Sequence, residues 1–417
     1  VYMAGQRFGM RAAATNFDDN ALREGIAYAH AHGVKCYITV NIMPSNRDLP
    51  ALPAYLELLQ DAGADALIIA DVGVLRMARR YAPKVPVHIS TQTSILNHEA
   101  ANYWADEGAE RIVLARELSL EEIAEIRAKT PKELEIEAFV HGAMCISYSG
   151  RCLLSNYMTG RDANRGACAQ PCRYQYALME EKRPGEYFPV YEENGETYIL
   201  NSRDMCMIDH VGELMEAGLD SIKLEGRAKS AYYAAIVTGA YRHAIDAAAA
   251  GLPLDPVWRD EVEHISHRHY STGFYYGQPG QFTQDARYIR DWQIVAKVLS
   301  CDSEGNALLT LNNKFSVGDQ LELVGPGVRP VSFRVEGLAD GDGLPIPEAR
   351  KPQMPFRLSL PVQAPPLSLL RRKAPAENGL WHPAAGRRTP ADRAGSTDTP
   401  HGRGHHDRQG RTRTPAE

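Results

Sequence analysis

Several features that mark particular protein classes are scarce or missing in this sequence. No apolar run approaches the ~20 residues that span a bilayer, and no leader typical of a secreted chain opens it. The net charge is −6, so only a local basic patch would attract a nucleic acid. The HExxH and GxSxG motifs of hydrolases are missing as well. The absence of a leader and of a membrane span predicts a cytoplasmic protein with no membrane contact. The absence of both motifs means that the sequence gives no sign of a hydrolase.

Cysteine is also rare, with seven in 417 residues, but four of the seven are close together. They are Cys145, Cys152, Cys168 and Cys172, with six, fifteen and three residues between them. A chain of this length buries enough apolar surface to need no disulfides, which favours a metal site. Thiolates suit iron–sulfur clusters or zinc. Zinc sites usually show short C-x2-C pairs, so the spacing favours iron–sulfur over zinc.

Short apolar runs alternate with amphipathic helices over residues 1–250, a pattern typical of a parallel sheet with crossover helices. The seven runs are VYM, CYITVN, ALIIAD, VHIST, RIVLAR, EIEAFVHG and SIKLEG. One more strand before Val1 would make eight. The pattern therefore predicts an α/β fold, a (β/α)8 TIM-like barrel that lacks its first β/α unit and carries a cysteine-rich insertion at 142–200. A doubly wound open sheet is the alternative.

Polar side chains follow the predicted strands where each strand ends. In a barrel this rim is the open end that binds substrate. The rim residues are Asn41, Asp71, Gln92, Arg116, His141 and Glu225. Each of them could instead cap a strand or helix, but six on one rim favour a site. His141 is the predicted acid/base group, because imidazole exchanges protons near neutral pH, with Glu225 and Asp71 as carboxylate partners.

The C-terminal part of the sequence has a different pattern. Residues 251–291 read as an aromatic-rich linker, whose His264, His267 and His269 are a weak metal candidate. Short alternating strands with Gly-rich turns at 292–362 predict a small β-barrel that docks a protein partner or RNA. Residues 363–417 are rich in Arg, Pro, Gly and Thr without periodicity, which predicts a disordered or artificial tail.

The cysteine segment carries a motif that resembles a known family. Residues Glu137–Ser155 match E-x-F-x-x-G-A-M-C-x(6)-C-x-L-S, and NSRDM at Asn201–Met205 and SIKLEGRAKSAYY at Ser221–Tyr233 support the match. The sequence is similar to the collagenase-like peptidases of family U32 over about Val1–Pro361. Collagenase activity is assigned to some members of that family. Other members resemble oxygen-independent hydroxylation proteins that carry a 4Fe–4S cluster and act on tRNA wobble uridine with prephenate, on a ribosomal RNA cytidine, or on a ubiquinone precursor.

The chain looks most similar to the tRNA group, in HGAMCISYSGRCLLS and RDANRGAC-x3-C. The resemblance implies prephenate-dependent 5-hydroxylation of tRNA wobble uridine, with the four clustered cysteines as 4Fe–4S ligands and Cys206 in reserve. Arg116 and Arg227 are then candidates to clamp a dicarboxylate such as prephenate, with Asn41 and Gln92 beside them as further substrate-binding residues. Two alternatives stay open, namely a collagenase-like peptidase and a non-catalytic binding or assembly protein with a structural cluster.

The cysteine segment also interleaves arginines with tyrosines, which suits RNA because guanidinium groups bind phosphate and aromatic rings stack on unpaired bases. The residues concerned are Arg151, Arg161, Arg165, Arg173, Tyr148, Tyr157, Tyr174 and Tyr176. A solvated loop whose tyrosines pack on a neighbouring hairpin would explain the same pattern.

Overall fold

The chain combines an α/β part with a C-terminal β domain. The computed structural model describes residues 1–10, 16–145, 152, 154–171, 177–179, 187–189, 203–279 and 288–374. Among the helices in these ranges, none has both the length and the apolar character needed to cross a bilayer.

The strands of the α/β part follow the predicted alternation. In the described residues they are β1 (Tyr2–Met3), β2 (Tyr37–Val40), β3 (Ala66–Ile69), β4 (Val87–Ile89), β5 (Arg111–Val113), β6 (Glu135–Ala143), β7 (Ala177–Met179), β8 (Tyr187–Pro189), β9 (Asp204–Cys206), β10 (Ser221–Leu224) and β11 (Tyr270–Ser271). Strands β1 to β6 pair in parallel in chain order, and β10 pairs in parallel with β6. The seven predicted apolar runs are therefore strands β1 to β6 and β10.

Helices connect these strands, and short polar residues define where several of them begin. They are α1 (Asp19–Ala31), α2 (Leu52–Asp61), α3 (Val72–Tyr81), α4 (His98–Asp106), α5 (Leu120–Ala128), α6 (Leu154–Thr159), α7 (Val211–Glu216), α8 (Ala231–Ala249) and α9 (Pro256–Glu261). Ser119 and Glu122 form a reciprocal capping box at the start of α5. The side chains of Asp18 and Ser230 accept backbone N–H groups at the starts of α1 and α8.

The parallel sheet is curved enough to bring distant strands into contact. The hydroxyl of Tyr2 in β1 donates to Glu225, just past β10, at 3.1 Å. The Lys223 Nζ of β10 lies 4.5 Å from the centre of the Tyr2 ring. Parallel neighbours are about 4.8 Å apart, so in a flat sheet strands at opposite edges would not meet. The fold is therefore a mixed α/β structure with a parallel sheet. Closure of that sheet into a TIM-like barrel stays a prediction.

A buried charge network joins β5, β6 and β10. Glu137 of β6 accepts from Lys223 Nζ at 2.6 Å, from Arg111 Nη1 at 3.0 Å and from Ser221 Oγ at 2.8 Å. Burial alone would raise the pKa of Glu137, but the charge of Lys223, aided by Arg111, outweighs it and lowers the pKa to about 2. The carboxylate is therefore ionised and fully paired inside the sheet.

The segment predicted as a linker is part of the α/β fold. The predicted linker at 251–291 contains α9 and β11, and β11 pairs with β9 in the main sheet. Tyr275 is buried and donates to the carbonyl of Phe139 in β6, so this segment packs on the α/β part. The residues Asp204–Cys206 form β9, which pairs antiparallel with the end of β6.

The C-terminal domain is antiparallel. Its strands are β12 (Trp292–Cys301), β13 (Asn306–Leu311), β14 (Phe315–Ser316), β15 (Gln320–Gly325), β16 (Val328–Arg334), β17 (Ala339–Asp340), β18 (Glu348–Ala349), β19 (Pro355–Ser359) and β20 (Leu369–Lys373). Seven pair in the order β16-β15-β20-β12-β13-β19-β17 within the described residues. The domain has its own apolar core. The predicted boundary at 362 is wrong, because β20 lies in the middle of this sheet. The rest of the predicted tail, from residue 375, lies outside the described residues.

Arg371 of β20 ties this domain to the α/β part. Its fully buried guanidinium donates to Glu261 of α9 at 2.8 Å and to Glu322 of β15 at 2.7 Å. It also donates to the Tyr232 hydroxyl at 2.9 Å and to His264 Nδ1 at 3.0 Å. His264 and the two carboxylates lie close enough to hold a cation. The guanidinium already supplies that positive charge, so His264 of the predicted histidine site belongs to an ion-pair network instead.

Candidate functional site

The carboxyl ends of β2 and β4 form one hydrogen-bonded cluster. Asn41, the first residue past β2, donates from Nδ2 to Ser90 Oγ at 3.1 Å and to Gln92 Oε1 at 3.2 Å. Its Oδ1 accepts the N–H of Met10 at 3.1 Å. The Ser90 hydroxyl also donates to Gln92. Asn41 and Gln92, both predicted as substrate-binding residues, are therefore in contact, across the intervening strand β3.

The predicted arginines lie at different places on the same end of the sheet. Arg227, in the loop after β10, donates from Nη1 to the buried Thr39 hydroxyl of β2 at 3.0 Å. Thr39 and Asn41 are two residues apart and so face the same side of the strand. Arg116, past the end of β5, lies 5.9 Å from the centre of the Phe139 ring. Arg227 is thus connected to the Asn41 strand, and Arg116 lies beside β6.

His141 lies inside β6 rather than past its end, because this strand continues to Ala143 and pairs with β9. The ring is 1% exposed, and the rings of Tyr233, Tyr241 and Tyr270 lie 5.9, 5.4 and 5.4 Å from it. Neither ring nitrogen has a hydrogen-bond partner among the described residues. Burial lowers the pKa of His141 to about 3, despite the opposing charge of Asp204. The imidazole is therefore neutral at physiological pH.

The two predicted carboxylate partners, Glu225 and Asp71, make different kinds of contact. The Glu225 N–H donates to the His141 carbonyl at 2.9 Å, and its side chain accepts from Tyr2. The Tyr233 hydroxyl donates to the Glu225 carbonyl at 3.3 Å, so Tyr233 contacts both His141 and Glu225. Asp71 caps α3 by accepting the Val74 N–H at 3.0 Å. The structure thus brings Glu225 next to the backbone of His141 and gives Asp71 a helix-capping contact.

Gly142 of β6 lies directly against the loop after β10. It has a φ of +110°, and a Cβ placed there would lie 2.4 Å from the Glu225 carbonyl oxygen. Gly142→Ala is therefore expected to destabilise the fold by about 2 kcal/mol or more, through backbone strain and displacement of Glu225. Urea denaturation measures this. Gly33→Ala is the control, because Gly33 has a φ of +69° with nothing within 4 Å. Equal losses in both variants would show that the contact with Glu225 contributes nothing.

Three of the four clustered cysteines lie in the described residues. Cys145 is exposed, and Cys152 and Cys168 are half-buried. None of the six described cysteines forms a disulfide. Cys172 lies outside the described residues. Available thiols on loops are the donor set that a thiolate-bound metal requires.

The backbone around these cysteines is held by short polar contacts. The side chain of Asn164 binds Cys152 twice, accepting its N–H at 3.3 Å and donating to its carbonyl at 3.0 Å. The fully buried Ser155 accepts the N–H of Ala169 at 2.9 Å. The N–H of Gln170 points at Cys168 Sγ at 3.4 Å. N–H groups directed at sulfur stabilise thiolates, so the surroundings of Cys168 fit a metal-bound sulfur.

The cysteine segment packs on the loop that follows β2. The Met43 N–H donates to the Asn164 carbonyl at 3.1 Å, and Arg165 donates to the Met43 carbonyl at 3.2 Å. Arg165 also forms a two-point ion pair with Asp48, with both distances 2.8 Å. Because Met43 is two residues past Asn41, these contacts hold the cysteine segment near the Asn41 cluster.

Cys206, the reserve ligand candidate, lies in β9 opposite His141. Its sulfur accepts a 3.9 Å contact from the Tyr241 hydroxyl, and burial raises the pKa of the thiol to about 11. In these surroundings it is a neutral thiol rather than a thiolate.

Several contacts in the site were not predicted from the sequence. Ser155, Asn164 and Asp48 have no part in the predicted site, and Arg165 was predicted to meet RNA phosphate rather than Asp48. The one local signal is the D-x-N turn at Asp162, whose side chain accepts the Asn164 N–H at 2.8 Å. The partners across the fold have no such signal.

Comparison with known proteins gives consistent results. The model of peptidase family U32 matches residues 1–285, and that of the peptidase family U32 C-terminal domain matches residues 290–371. The tRNA hydroxylation protein P1 of Bacillus subtilis is 37% identical over 381 residues, covering 89% of each chain. The tRNA hydroxylation protein P of Escherichia coli is 37% identical, covering 83% of this chain and 86% of its own. The 23S rRNA 5-hydroxycytidine synthase of Escherichia coli is 37% identical over 59% of this chain and 36% of its own.

Proposed function

The chain belongs to peptidase family U32, and from that premise we propose that it is an enzyme of prephenate-dependent, oxygen-independent 5-hydroxylation of tRNA wobble uridine, with a 4Fe–4S cofactor. The observation that carries the proposal is identity of 37% over nearly the whole chain to relatives named for tRNA hydroxylation. The relative named as a 23S rRNA 5-hydroxycytidine synthase supports RNA hydroxylation as the reaction class.

The four clustered cysteines would hold the cluster. When bound, the cluster would supply either one-electron redox chemistry or a rigid local structure. Asn164 and Ser155 support this assignment, because they fix the backbone on both sides of the loop that carries Cys152 and Cys168. The N–H directed at Cys168 is a further support.

Arg227 and Arg116 are proposed to bind the two carboxylates of prephenate. Guanidinium groups bind carboxylates at two points, and both arginines lie at the carboxyl end of the sheet where substrates bind in such folds. The Asn41 and Gln92 amides would hydrogen-bond the hydroxyl group or the base. Arg165 is already paired with Asp48, so of the two described arginines proposed to meet RNA phosphate, the exposed Arg161 is the better candidate.

The surroundings of His141 argue against proton transfer by this residue. A general base works best when its pKa is near the operating pH, and burial lowers the pKa of this ring to about 3. A peptidase that uses His141 would need a serine or cysteine nucleophile hydrogen-bonded to its ring. No serine or cysteine among the described residues makes that bond, which argues against such a peptidase. The peptidase and the non-catalytic alternatives are retained as outcomes of the test.

Mass spectrometry of tRNA tests the proposal. A strain that lacks this gene and its paralogues should lose 5-hydroxyuridine and its derivatives, and the wild-type gene should restore them. Arg227→Met is expected to restore at most about a tenth of the wild-type level, because one of the two arginines proposed to bind the prephenate carboxylates is lost. Arg80→Met, at the exposed end of α3, is the matched control and should restore the full level.

Other outcomes of this experiment identify the alternatives. Undiminished 5-hydroxyuridine in the deletion strain contradicts tRNA hydroxylation by this protein. Gelatin degradation by the purified, metal-replete protein, lost in His141→Ala, would identify the peptidase. If the protein only binds or assembles, its deletion would leave 5-hydroxyuridine undiminished and the purified protein would not degrade gelatin.

A further inference from the structure

The ion pair between Asp48 and Arg165 is built more elaborately than an ordinary surface pair. Besides the two bonds from Arg165, the Asp48 carboxylate accepts the Ser45 N–H at 2.6 Å and the Ser45 hydroxyl at 2.8 Å. The bond from Arg165, together with those from Ser45, lowers the pKa of Asp48 well below its usual range. Two-point pairing fixes the orientation as well as the distance of a guanidinium. The pair therefore fixes where Arg165 lies relative to the loop after β2.

Asn164, the neighbour of Arg165, extends this contact to the cysteines. Its carbonyl accepts from Met43, while its side chain binds both backbone groups of Cys152. On the other side, Gly166 adopts a φ of +84°, and the Ala167 N–H returns to the Asp162 carbonyl at 2.9 Å, one residue before Cys168. One short turn is thus bonded to the loop after β2, is bonded to Cys152 and leads directly into Cys168.

From these contacts we infer that Asp48, Asn164 and Arg165 form a positioning clamp, which holds Cys152 and Cys168 beside the substrate-binding end of β2. The three residues act through the cysteines and touch no reacting atom, so they are positioning residues. The inference rests on the proposed function, because it concerns the surroundings of the proposed cluster. It adds that the position of the cluster relative to Asn41 is set by this clamp and not by the cysteine ligands alone.

Loss of the clamp should change properties of the metal site that are measured without an activity assay. In Arg165→Met, the half-life of protein-bound iron against a chelator should fall about tenfold, because local opening of the segment becomes more frequent. The midpoint potential and the electron paramagnetic resonance signal of the reduced cluster should also change, since charge and hydrogen bonding around the sulfurs set both. Arg161→Met removes an exposed arginine from the same segment and should match the wild type in all three measurements.

A charge exchange separates positioning from general loss of stability. The double variant with Asp48→Arg and Arg165→Asp keeps an ion pair and should recover much of the iron retention, while either single change should not. Arg165→Lys keeps the charge without the two-point geometry and should give an intermediate value. Unchanged iron retention, potential and spectrum in Arg165→Met, with wild-type far-UV circular dichroism, would overturn the clamp.

A readout without metal distinguishes failure of the clamp from failure of the cluster. Limited proteolysis of iron-free protein with thermolysin should cleave within residues 146–176 about tenfold faster in Arg165→Met than in the wild type or Arg161→Met. Wild-type protein that never binds iron would refute the proposed cofactor, yet this proteolysis would still test the clamp. Equal cleavage rates in all three proteins would refute the clamp even if the wild type binds iron.

Discussion

Replacing Cys152 by alanine is expected to remove most of the iron from anaerobically purified protein and to abolish tRNA hydroxylation. The wild type should be brown with about four irons per chain, as a 4Fe–4S cluster requires. Loss of one thiolate removes a quarter of the ligands and leaves one iron open to solvent. Iron analysis and visible absorption measure the first effect, and tRNA mass spectrometry of a complemented deletion strain measures the second.

The chain offers a matched control for this experiment. Cys301 is also half-buried and free of any disulfide, but it lies in β12 of the C-terminal domain. Cys301→Ala should therefore keep its iron and its activity. A colourless wild type that contains zinc would contradict the iron–sulfur assignment. Unchanged iron in Cys152→Ala would instead exclude this cysteine as a ligand and make Cys206 the next residue to replace.

The sequence predicted the parallel strands well because their signal is local. Runs such as ALIIAD are buried on both faces, as β3 is, and need no knowledge of the rest of the fold to be recognised. The capping box at Ser119 is local in the same sense. The location of Asn41 and Gln92 at one end of the sheet was also predictable, because the carboxyl ends of parallel strands meet there.

The elements that sequence reasoning missed depend on distant partners. β20 contains two arginines in LLRRK and reads as the start of a basic tail. Arg371 is nevertheless fully buried, because Glu261 and Glu322 from elsewhere in the chain neutralise it. In the site, Asp48 and Arg165 are separated by 117 positions. No periodicity or spacing records such a pairing, since only the folded chain brings the two groups together.

Glu137→Gln is expected to destabilise the α/β part by about 3–5 kcal/mol, because it leaves Lys223 and Arg111 buried without their shared counter-charge. The side chains of Glu137 and Lys223 are both below a tenth exposed, so water screens this pair little. Glu135→Gln is the control: Glu135 pairs with the same Arg111, but its side chain is about half exposed, and its loss should cost about 1 kcal/mol or less. Urea denaturation at pH 7 compares the two variants.

The pH dependence of stability gives this prediction a second and independent test. The pKa of Glu137 falls from its usual 4.5 to about 2 on folding, so its contribution is fully present above about pH 4.5. The contribution is lost as the pH falls from there towards 2, at up to about 1.4 kcal/mol per pH unit. Glu137→Gln cannot lose it, so the difference in stability from the wild type should shrink below pH 4.5. A difference that stays constant down to pH 3 would mean that the lost stability comes from altered packing and not from the charge of Glu137.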